Sequence, residues 1–335
     1  MLNGKSILVT GGTGSFGREC IHQILKRYKP ARLIVFSRDE LKQSEMQQDP
    51  RFQSAAMRYF LGDVRDAERL QRAFRGVDFI IHAAALKQVP AAEYNPHEFI
   101  KTNITGATNI VDAAVNCGVQ RVIAVSTDKA VNPINLYGAT KLCSDKVFVA
   151  SNSYAGRSPT RFAVVRYGNV IGSRGSVIPV FLRQRQQGRI TITDPRMTRF
   201  LISLNNGVEF VLNSLESMVG GEIFVPKIPS CRIGDLAEAM SAGCKVQEVG
   251  RRPGEKMHEI LVSEDDAPST VELPDRYIIT PAHAYWSSHT SDLGGMPCPD
   301  GFSYVSNTNP YQLPVTRVRE ICRDIARKLG FDDNF

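Results

Sequence analysis

The sequence lacks the long apolar runs and leader patterns of membrane or exported proteins. No stretch approaches the roughly 18 consecutive apolar residues that a membrane helix requires. Residues 1–5 lead directly into a strand-like segment, without the charged and then apolar regions of a secretory signal. We therefore expect a cytoplasmic protein that makes no contact with a membrane.

The sequence also lacks any clustering of cysteine. The 7 cysteines are scattered, odd in number and never arranged as C-x-x-C. A structural zinc site or a disulfide framework needs tighter spacing. We predict reduced thiols that pack in the core, and no metal site.

Long basic runs are absent as well, although the formal net charge is +7. A net positive charge can indicate nucleic-acid binding. However, no run of Lys or Arg exceeds two residues, and no nucleic-acid-binding motif is present. The basic residues fit a small anionic ligand such as a nucleotide diphosphate better, with ordinary surface charge as the alternative.

Strand-like and helix-like segments alternate through the first 170 residues or so. β-branched runs predict strands at 6–10, 33–36, 57–61, 79–82, 122–126 and 162–166, and helical spacing follows most of them, for example at 16–28 and 96–117. Such alternation is typical of βαβ units in a parallel sheet that is covered on both faces. The sequence therefore predicts an α/β, doubly wound parallel sheet.

The pattern loosens after Gly172. Residues 205–215 resemble a helix and 222–225 a strand, and both could rejoin the sheet. From Pro226 onward the elements are shorter, and turn residues in 283–309 predict a loop. We predict one domain from 1–172 plus about 198–228, and a smaller C-terminal substrate domain from about 173–197 and 229–335, which closes over the carboxyl ends of the strands.

A glycine-rich segment follows the first predicted strand. Gly11, Gly14 and Gly17 stand three residues apart and open a helix. In this context the glycines allow a tight turn, close approach of a pyrophosphate and close helix–sheet packing. The segment predicts a Rossmann-like dinucleotide site contacted by Gly11, Thr13, Gly14, Ser15, Phe16 and Gly17; a purely structural turn is the alternative.

The end of the second strand bears on the choice of dinucleotide. Ser37 and Arg38 favour the 2′-phosphate of NADP, with Lys42 one turn later, whereas the adjacent Asp39 leaves NAD open. Further cofactor contacts are predicted at Asp63, Val64, Ala83, Ala85 and Lys87. Lys87 is equally compatible with a solvated surface lysine.

The segment after the fifth strand contains the predicted catalytic groups. Tyr137 and Lys141 are four residues apart on a predicted helix and therefore share a face. A nearby ammonium lowers the pKa of a phenol, so Tyr137 is a candidate base that also contacts the cofactor together with Lys141. Upstream, Asp128 and Lys129 can divide proton transfers between them, although an exposed ion-pair turn is the alternative.

These motifs together resemble the extended short-chain dehydrogenases, and more narrowly the inverting UDP-N-acetylglucosamine 4,6-dehydratases of bacterial surface-sugar biosynthesis. The resemblance covers nearly the whole chain. It rests on TGGTGSFG (10–17), SRDELKQSEM (37–46), GDVRD (62–66), HAAALKQVPAAEYNP (82–96), STDKAVNPINLYGATKLCSDK (126–146), VRYGNVIGSRGSVIP (165–179), TDPRMTRF (193–200), EIFVPKIPS (222–230) and RPGEKMHEIL (252–261). Related dehydratases that retain configuration carry Asp-Glu where this chain has Asp128-Lys129.

The resemblance implies a redox cycle on bound NADP. Tyr137 takes the O4 proton while C4 is oxidised, Lys129 removes the C5 hydrogen, and Asp128 assists loss of the C6 hydroxyl. Hydride then returns to C6, and C5 is reprotonated on the other face. The implied catalytic set is Thr127, Asp128, Lys129, Tyr137 and Lys141.

The resemblance also implies substrate contacts and self-assembly. The implied contacts to the UDP-sugar are Lys87, Lys129, Asn169, Arg174, Arg199, Arg252 and Glu255, with a plain surface charge as the alternative for each arginine. A homo-oligomer is expected, with a hexamer as the first choice.

Two other functions stay open at this point. A UDP-sugar 4- or 5-epimerase would share Tyr137, Lys141 and the cofactor, although a 4-epimerase has no need of the pair Asp128-Lys129. A non-catalytic NADP-binding scaffold would usually lose the tyrosine or the lysine, and both are present.

Overall fold

A computed structural model describes residues 1–156, 158–172, 176–281 and 294–335. Its largest sheet has the strand order β16-β14-β15-β10-β6-β5-β4-β1-β2-β3. The strands of the whole structure are β1 Ser6–Thr10, β2 Arg32–Ser37, β3 Met57–Leu61, β4 Phe79–His82, β5 Arg121–Thr127, β6 Arg161–Tyr167, β7 Asn169–Ile171, β8 Arg189–Ile192, β9 Thr198–Ser203, β10 Ile223–Pro226, β11 Ser230–Arg232, β12 Lys245–Glu248, β13 Ile260–Val262, β14 Thr270–Glu272, β15 Arg276–Ile279, β16 Met296–Pro297 and β17 Tyr304–Val305.

Helices connect these strands and cover the faces of the sheet. The α-helices are α1 Ser15–Arg27, α2 Glu40–Gln48, α3 Ala67–Ala73, α4 Val89–Tyr94, α5 Pro96–Phe99, α6 Gly106–Cys117, α7 Leu136–Tyr154, α8 Val177–Arg185, α9 Leu204–Ser217, α10 Ile233–Met240 and α11 Val315–Leu329. Short 3₁₀ helices lie at Pro50–Phe52, Asp128–Ala130 and Glu264–Ser269, and a π-helix lies at Ile100–Thr105.

The seven strands β3-β2-β1-β4-β5-β6-β10 run parallel. The order reverses between β1 and β4, so the chain winds in opposite directions on the two sides of this point. The central strands have buried apolar middles, as expected for strands covered on both faces; all five residues of β1 are buried, including Ser6 and Thr10 at its ends. The predicted Rossmann-like doubly wound sheet is confirmed, and a ligand cleft is expected where the order reverses.

Three strands from the later part of the chain extend the same sheet. β15 pairs antiparallel with β10, β14 with β15, and β16 with β14. The described part of the loop predicted at 283–309 is mostly irregular, as expected, but it also contains β16 and β17, which were not predicted. Each of these strands has two residues, too short for a periodic pattern, and turn residues surround them.

The predicted helix at 96–117 is interrupted in the structure. A π-helix at Ile100–Thr105 separates α5 from α6. Such segments are frequent at functional sites, and here the π-helix carries the buried side chain of Asn103.

A second hydrophobic core lies apart from the core of the large sheet. Its buried members include Ile178, Phe181, Ile190, Leu236, Leu313 and Cys322. They come from α8, β8, α10, α11 and the segment before α11. Residues 261–262 and 277–279, by contrast, pack in the core of the large sheet. The predicted division into two domains stays a prediction.

No helix among the described residues is long and apolar enough to cross a membrane.

Candidate active site

The glycine segment forms a tight loop between β1 and α1. Gly11 has φ +64, and a Cβ there would lie 3.0 Å from the backbone of Ala83 and Ala84. A Cβ on Gly17 would lie 2.5 Å from the Gly11 oxygen and the Gly12 Cα. Gly14 is the N-cap of α1, and no side chain caps this end of the helix. The first backbone N–H groups of α1 therefore face the loop and suit an anion such as a pyrophosphate.

A cavity of about 240 Å³ lies beside this loop. Its lining includes the predicted cofactor residues Gly11, Thr13, Ser37, Arg38, Asp39, Lys42, Asp63, Val64 and Ala85. Ser37 is buried and its hydroxyl lies 2.8 Å from that of Thr13, which joins the glycine loop to the end of β2. The structure thus brings together residues that the sequence places in three separate segments.

The charged groups of this cavity pair with one another. Asp39 caps α2 by accepting from the Lys42 backbone N–H at 3.0 Å, and it also binds the Lys42 ammonium. These hydrogen bonds lower the pKa of Asp39. The Arg38 guanidinium is 56% exposed and lies 3.6 Å from Asp63. Arg38 is the cation at this end of the cleft with the most freedom to meet a ligand.

The segment after β4 is fixed from two sides. The Thr10 hydroxyl accepts from the backbone N–H groups of Ala83 and Ala84 at 3.1 and 3.2 Å. Asn103 exchanges two hydrogen bonds of 2.9 Å with the backbone of Leu86 and donates to Thr140 on α7 at 3.0 Å. Sequence reasoning missed Asn103, because a lone asparagine in a helical pattern gives no signal. It ties the loop that carries Lys87 to the helix that carries the predicted catalytic pair.

Tyr137 and Lys141 lie on α7 and are both buried. The Lys141 ammonium donates to the Val125 carbonyl at 3.0 Å. Burial raises the pKa of Tyr137 to about 12, against a smaller lowering by the Lys129 charge. Burial also lowers the pKa of Lys141. In the protein alone the net direction is thus opposite to the predicted lowering of the Tyr137 pKa, because loss of water outweighs the effect of the neighbouring ammonium.

Sequence reasoning missed a buried carboxylate, Asp145, which lies on the same helix one turn after Lys141. Asp145 accepts from the Ser126 hydroxyl at 2.8 Å and lies 3.6 Å from the Arg166 guanidinium. Its carboxylate partly offsets the effect of burial on the pKa of Lys141, one turn earlier on α7. Asp145 thus favours the charged form of Lys141.

Asp128 and Lys129 lie at the carboxyl end of β5. The Lys129 ammonium donates to Asp128 at 3.0 Å and to the Asn169 side-chain oxygen at 3.4 Å. The Thr127 hydroxyl donates to the same Asp128 oxygen at 2.9 Å. The second oxygen of Asp128 is buried and has no hydrogen-bond partner among the described residues. Asp128 thus has one oxygen held by Lys129 and Thr127 and a second, buried oxygen whose hydrogen-bonding capacity is unused among the described residues.

A second carboxylate, Glu259, faces Lys129 from the opposite side of the cleft. It is 2% exposed, and its oxygen lies 3.5 Å from the Lys129 ammonium and 3.8 Å from the Arg199 guanidinium. Burial lowers the pKa of Lys129, but the carboxylates of Asp128 and Glu259 more than offset this effect and raise it. Sequence reasoning missed Glu259, whose signal is a lone acidic residue directly before the apolar run 260–262.

Arg199, a predicted diphosphate contact, has several partners in the protein. Its guanidinium donates to the carbonyls of Thr198 at 2.7 Å, Lys256 at 3.1 Å and Met257 at 3.3 Å. It is 8% exposed. These contacts hold the 256–259 segment against β9, so the structure supports a structural task for Arg199 more than contact with a free phosphate.

The other predicted substrate residues lie around the opening of the cleft. Arg252 is exposed and has no side-chain hydrogen bond or ion pair among the described residues. Glu255 has a buried oxygen without a hydrogen-bond partner there. Lys87 is exposed, and partial burial and then the Lys129 ammonium lower its pKa. Arg174 lies outside the described residues.

Two contacts join the 252–256 segment to the catalytic segment. Asn135 caps α7 by accepting from the Gly138 N–H at 2.8 Å, and its amide donates to the Gly254 carbonyl at 2.8 Å. The Lys256 ammonium binds the Val131 carbonyl. The predicted substrate residues are therefore connected directly to the start of the helix that carries Tyr137.

Comparison with known proteins gives these residues a context. A family described as polysaccharide biosynthesis protein matches residues 7–281. A UDP-N-acetylglucosamine 4,6-dehydratase (inverting) from Campylobacter jejuni is 55% identical over 329 residues, which are 96% of this chain and 98% of the relative. A UDP-glucose 4-epimerase from Rickettsia akari is 43% identical over 283 residues, 82% of each chain.

Solved structures show the same fold. Pen from Bacillus thuringiensis superimposes with a TM-score of 0.88 at 34% identity, covering 97% of this chain and 98% of that one. DesIV, a dTDP-glucose 4,6-dehydratase from Streptomyces venezuelae solved with NAD bound, gives a TM-score of 0.65 at 25% identity, covering 75% and 86%.

Proposed function

Because this chain belongs to the polysaccharide biosynthesis protein family, we propose that it is an inverting UDP-N-acetylglucosamine 4,6-dehydratase, a hydro-lyase of surface-sugar biosynthesis. The observation that carries the proposal is the pair Asp128-Lys129 beside the buried Tyr137. Identity of 55% over 96% of the chain to a dehydratase of this name supports it. The product is a 4-keto-6-deoxy sugar with inverted C5, UDP-2-acetamido-2,6-dideoxy-β-L-arabino-hex-4-ulose.

The glycine loop and the adjoining cavity fit a nicotinamide dinucleotide. A Cβ at Gly11 or Gly17 would collide with neighbouring backbone, so glycine at these positions keeps the loop compact beside the cavity. We propose NADP as the form bound, because the exposed Arg38 guanidinium lies at the cavity whereas Asp39 is engaged by Lys42. When bound, the cofactor supplies the acceptor and later the donor of a hydride.

Tyr137 performs the first proton transfer, from the O4 hydroxyl of the sugar. Its phenol must lose a proton for this task, and burial opposes that loss. Lys141 and the positive charge of the oxidised nicotinamide favour the phenolate, so the proton leaves Tyr137 most readily in the loaded enzyme. Thr127 lies against both Tyr137 and Asp128 and orients them.

Lys129 removes the C5 proton once C4 is a ketone, and Asp128 assists departure of the C6 hydroxyl as water. An amine must be neutral to act as a base. The two carboxylates around Lys129 keep it protonated at rest. Its proton therefore passes to Asp128, which gives it to the departing C6 hydroxyl, and the neutral amine takes the C5 proton. Reprotonation of C5 on the other face then inverts that centre.

The predicted substrate contacts follow the rim of the cleft. Lys87, Asn169, Arg174, Arg252 and Glu255 are proposed to hold the UDP-sugar. The Arg252 guanidinium, which has no side-chain partner among the described residues, is proposed to bind the diphosphate. Arg199 is proposed to act on the substrate through the 256–259 segment that it holds. The two-domain division, a cytoplasmic location and a homo-oligomer, with a hexamer first, remain proposals of the same kind.

NMR of the purified enzyme with UDP-N-acetylglucosamine in D₂O tests the function. The expected product is the 4-keto-6-deoxy sugar with deuterium at C5 and the L-arabino configuration. Retained configuration would contradict the inverting assignment. A Lys129→Ala variant should lose C5 exchange while still reducing the bound cofactor, and exchange at the wild-type rate would contradict the role of Lys129.

A UDP-sugar 4-epimerase is the second candidate. The similarity to the Rickettsia akari UDP-glucose 4-epimerase over 82% of the chain favours it. The same NMR experiment separates the two functions, because an epimerase gives a C4 epimer that keeps its C6 hydroxyl and gains no deuterium at C5.

A further inference from the structure

We propose that Glu259 is a positioning residue that holds the Lys129 side chain in the cleft and keeps its proton in place until C5 is to be deprotonated. The inference rests on the proposed function for its purpose, but its geometry stands independently. Lys129 lies between two carboxylates, Asp128 at 3.0 Å and Glu259 at 3.5 Å. Asp128 is its neighbour in the chain, whereas Glu259 comes from a segment 130 residues later.

The position of Glu259 is fixed by its backbone. Its N–H donates to the Ser306 hydroxyl at 2.9 Å, and its carbonyl accepts from the Ser306 N–H at 2.9 Å. The Ser306 hydroxyl lies 2.6 Å from that of Thr198 on β9. A residue with both backbone groups bound and a buried side chain cannot follow Lys129 if the lysine moves, so it defines where the ammonium rests.

The surroundings of Glu259 explain why its charge matters to Lys129. Three cations face two carboxylates here: Lys129, Arg199 and Lys256 against Asp128 and Glu259. The Lys129 charge also lowers the pKa of two other titratable groups, Tyr137 and Lys87. Removal of the Glu259 charge would leave Lys129 with one carboxylate and with the uncompensated charges of Arg199 and Lys256. The neutral amine would then form at a lower pH.

The contrast between neutral and charged substitutions tests this inference. Glu259→Gln keeps the size of the side chain and removes its charge, and Glu259→Asp keeps the charge on a shorter side chain. The exposed Glu264, in the 3₁₀ helix that follows β13, provides the matched control Glu264→Gln. Thermal melting of the full-length variants shows whether each is folded.

The first measurement needs no substrate. Trace acetylation of the full chain with acetic anhydride at several pH values, read by mass spectrometry, reports the neutral fraction of Lys129 because only the free amine reacts. In the wild type and in Glu264→Gln we expect slow acetylation through pH 9. In Glu259→Gln we expect at least tenfold faster acetylation of Lys129 at pH 9, and in Glu259→Asp a rate within about threefold of the wild type, as one pKa unit is tenfold in neutral amine.

The second measurement follows C5 exchange and cofactor reduction as a function of pH. In Glu259→Gln the rise of exchange with pH should move at least one unit lower, while the rate of cofactor reduction changes less than about threefold. An unchanged acetylation profile in folded Glu259→Gln would overturn the inference. A wild type that makes no dehydrated product would overturn the proposed function instead, and the acetylation result would still decide the role of Glu259.

Discussion

The cofactor end and the substrate end of this cleft are built in different ways. The cofactor end uses residues 11–42, 62–64 and 83–103, which follow successive strands of one parallel sheet. The substrate end brings residues 128–137 against 199 and 252–259, more than sixty positions away in the chain. A cofactor site made of neighbouring βα units can be recognised from short motifs, whereas a substrate site assembled from distant segments depends on long-range contacts. The variants below test whether the two ends can be damaged separately.

Tyr137→Phe should have the largest effect, and it should lower the rate of the chemical step without weakening cofactor binding. Loss of the phenol removes the group proposed to take the O4 proton, so kcat should fall by about 10²–10⁴-fold, the usual contribution of a general base. Cofactor affinity should stay within about threefold. Turnover by NMR and cofactor titration by fluorescence measure the two effects.

Tyr154→Phe on the same helix is the matched control for this variant. Tyr154 is 69% exposed, and its variant should behave as the wild type. A Tyr137→Phe enzyme with more than a tenth of wild-type turnover would contradict the assignment.

Gly17→Ala should weaken cofactor binding, which Tyr137→Phe should leave nearly unchanged. The new Cβ would meet the Gly11 oxygen and the Gly12 Cα at 2.5 Å, so α1 must move away from the glycine loop. We expect cofactor Kd to rise about 100-fold and the stability to fall by about 1–3 kcal/mol, as for overpacking elsewhere. Cofactor titration and thermal melting check this.

Gly207→Ala in α9 serves as the control, because a Cβ there has its nearest neighbour at 3.8 Å. It should be neutral or slightly stabilising. Wild-type cofactor affinity in Gly17→Ala would show that the close approach of α1 to the loop is not needed.

Arg38→Ala should alter the choice of cofactor more than its overall binding. A charge-assisted hydrogen bond contributes about 1.5–3 kcal/mol, so affinity for NADP should fall by about 10- to 100-fold. Affinity for NAD should change little, because NAD lacks the 2′-phosphate. Parallel titrations with the two cofactors measure the ratio.

The control Arg72→Ala removes another exposed guanidinium, on α3 and away from the cavity. It should leave both affinities unchanged. Equal losses for NAD and NADP in Arg38→Ala would argue against a 2′-phosphate contact.

Asn135→Ala should have the smallest effect and should act on the connection between the two distant segments. It removes a helix cap and the bond to the Gly254 carbonyl, at a cost of about 1–2 kcal/mol in stability. Asn135→Asp keeps the cap acceptor but cannot donate to Gly254, so it should lose less stability. Both variants should raise KM for the UDP-sugar severalfold without changing cofactor Kd. Thermal melting measures the loss of stability, and steady-state kinetics measure the rise in KM. A change in cofactor Kd equal to the change in KM would show that the cofactor end and the substrate end of the cleft cannot be damaged separately.

Much of the parallel sheet could be predicted from sequence because its strands contain apolar, β-branched runs and helical segments separate them. The predicted strands at 6–10, 57–61 and 79–82 agree with the structure residue for residue. The antiparallel strands β14, β16 and β17 could not be predicted. They have two or three residues each, and pairing with a neighbour rather than their own composition makes them strands.

The residues of the site likewise fall into those that a local pattern predicts and those that depend on distant partners. Spacing alone places Tyr137 with Lys141, and adjacency places Asp128 with Lys129. Glu259 and Asn103 escaped prediction because their importance lies in partners 130 and 17 residues away, to which no local pattern points.

The antiparallel strand β15 has a consequence for how this protein is made. β15 covers the outer edge of β10, yet it leaves the ribosome about fifty residues after that strand. At roughly 5–20 residues per second, translation leaves this apolar edge open for several seconds. An uncovered strand edge is a template for pairing with another chain. The nascent protein therefore has an open strand edge after its cofactor site has been synthesised and before β15 pairs with β10.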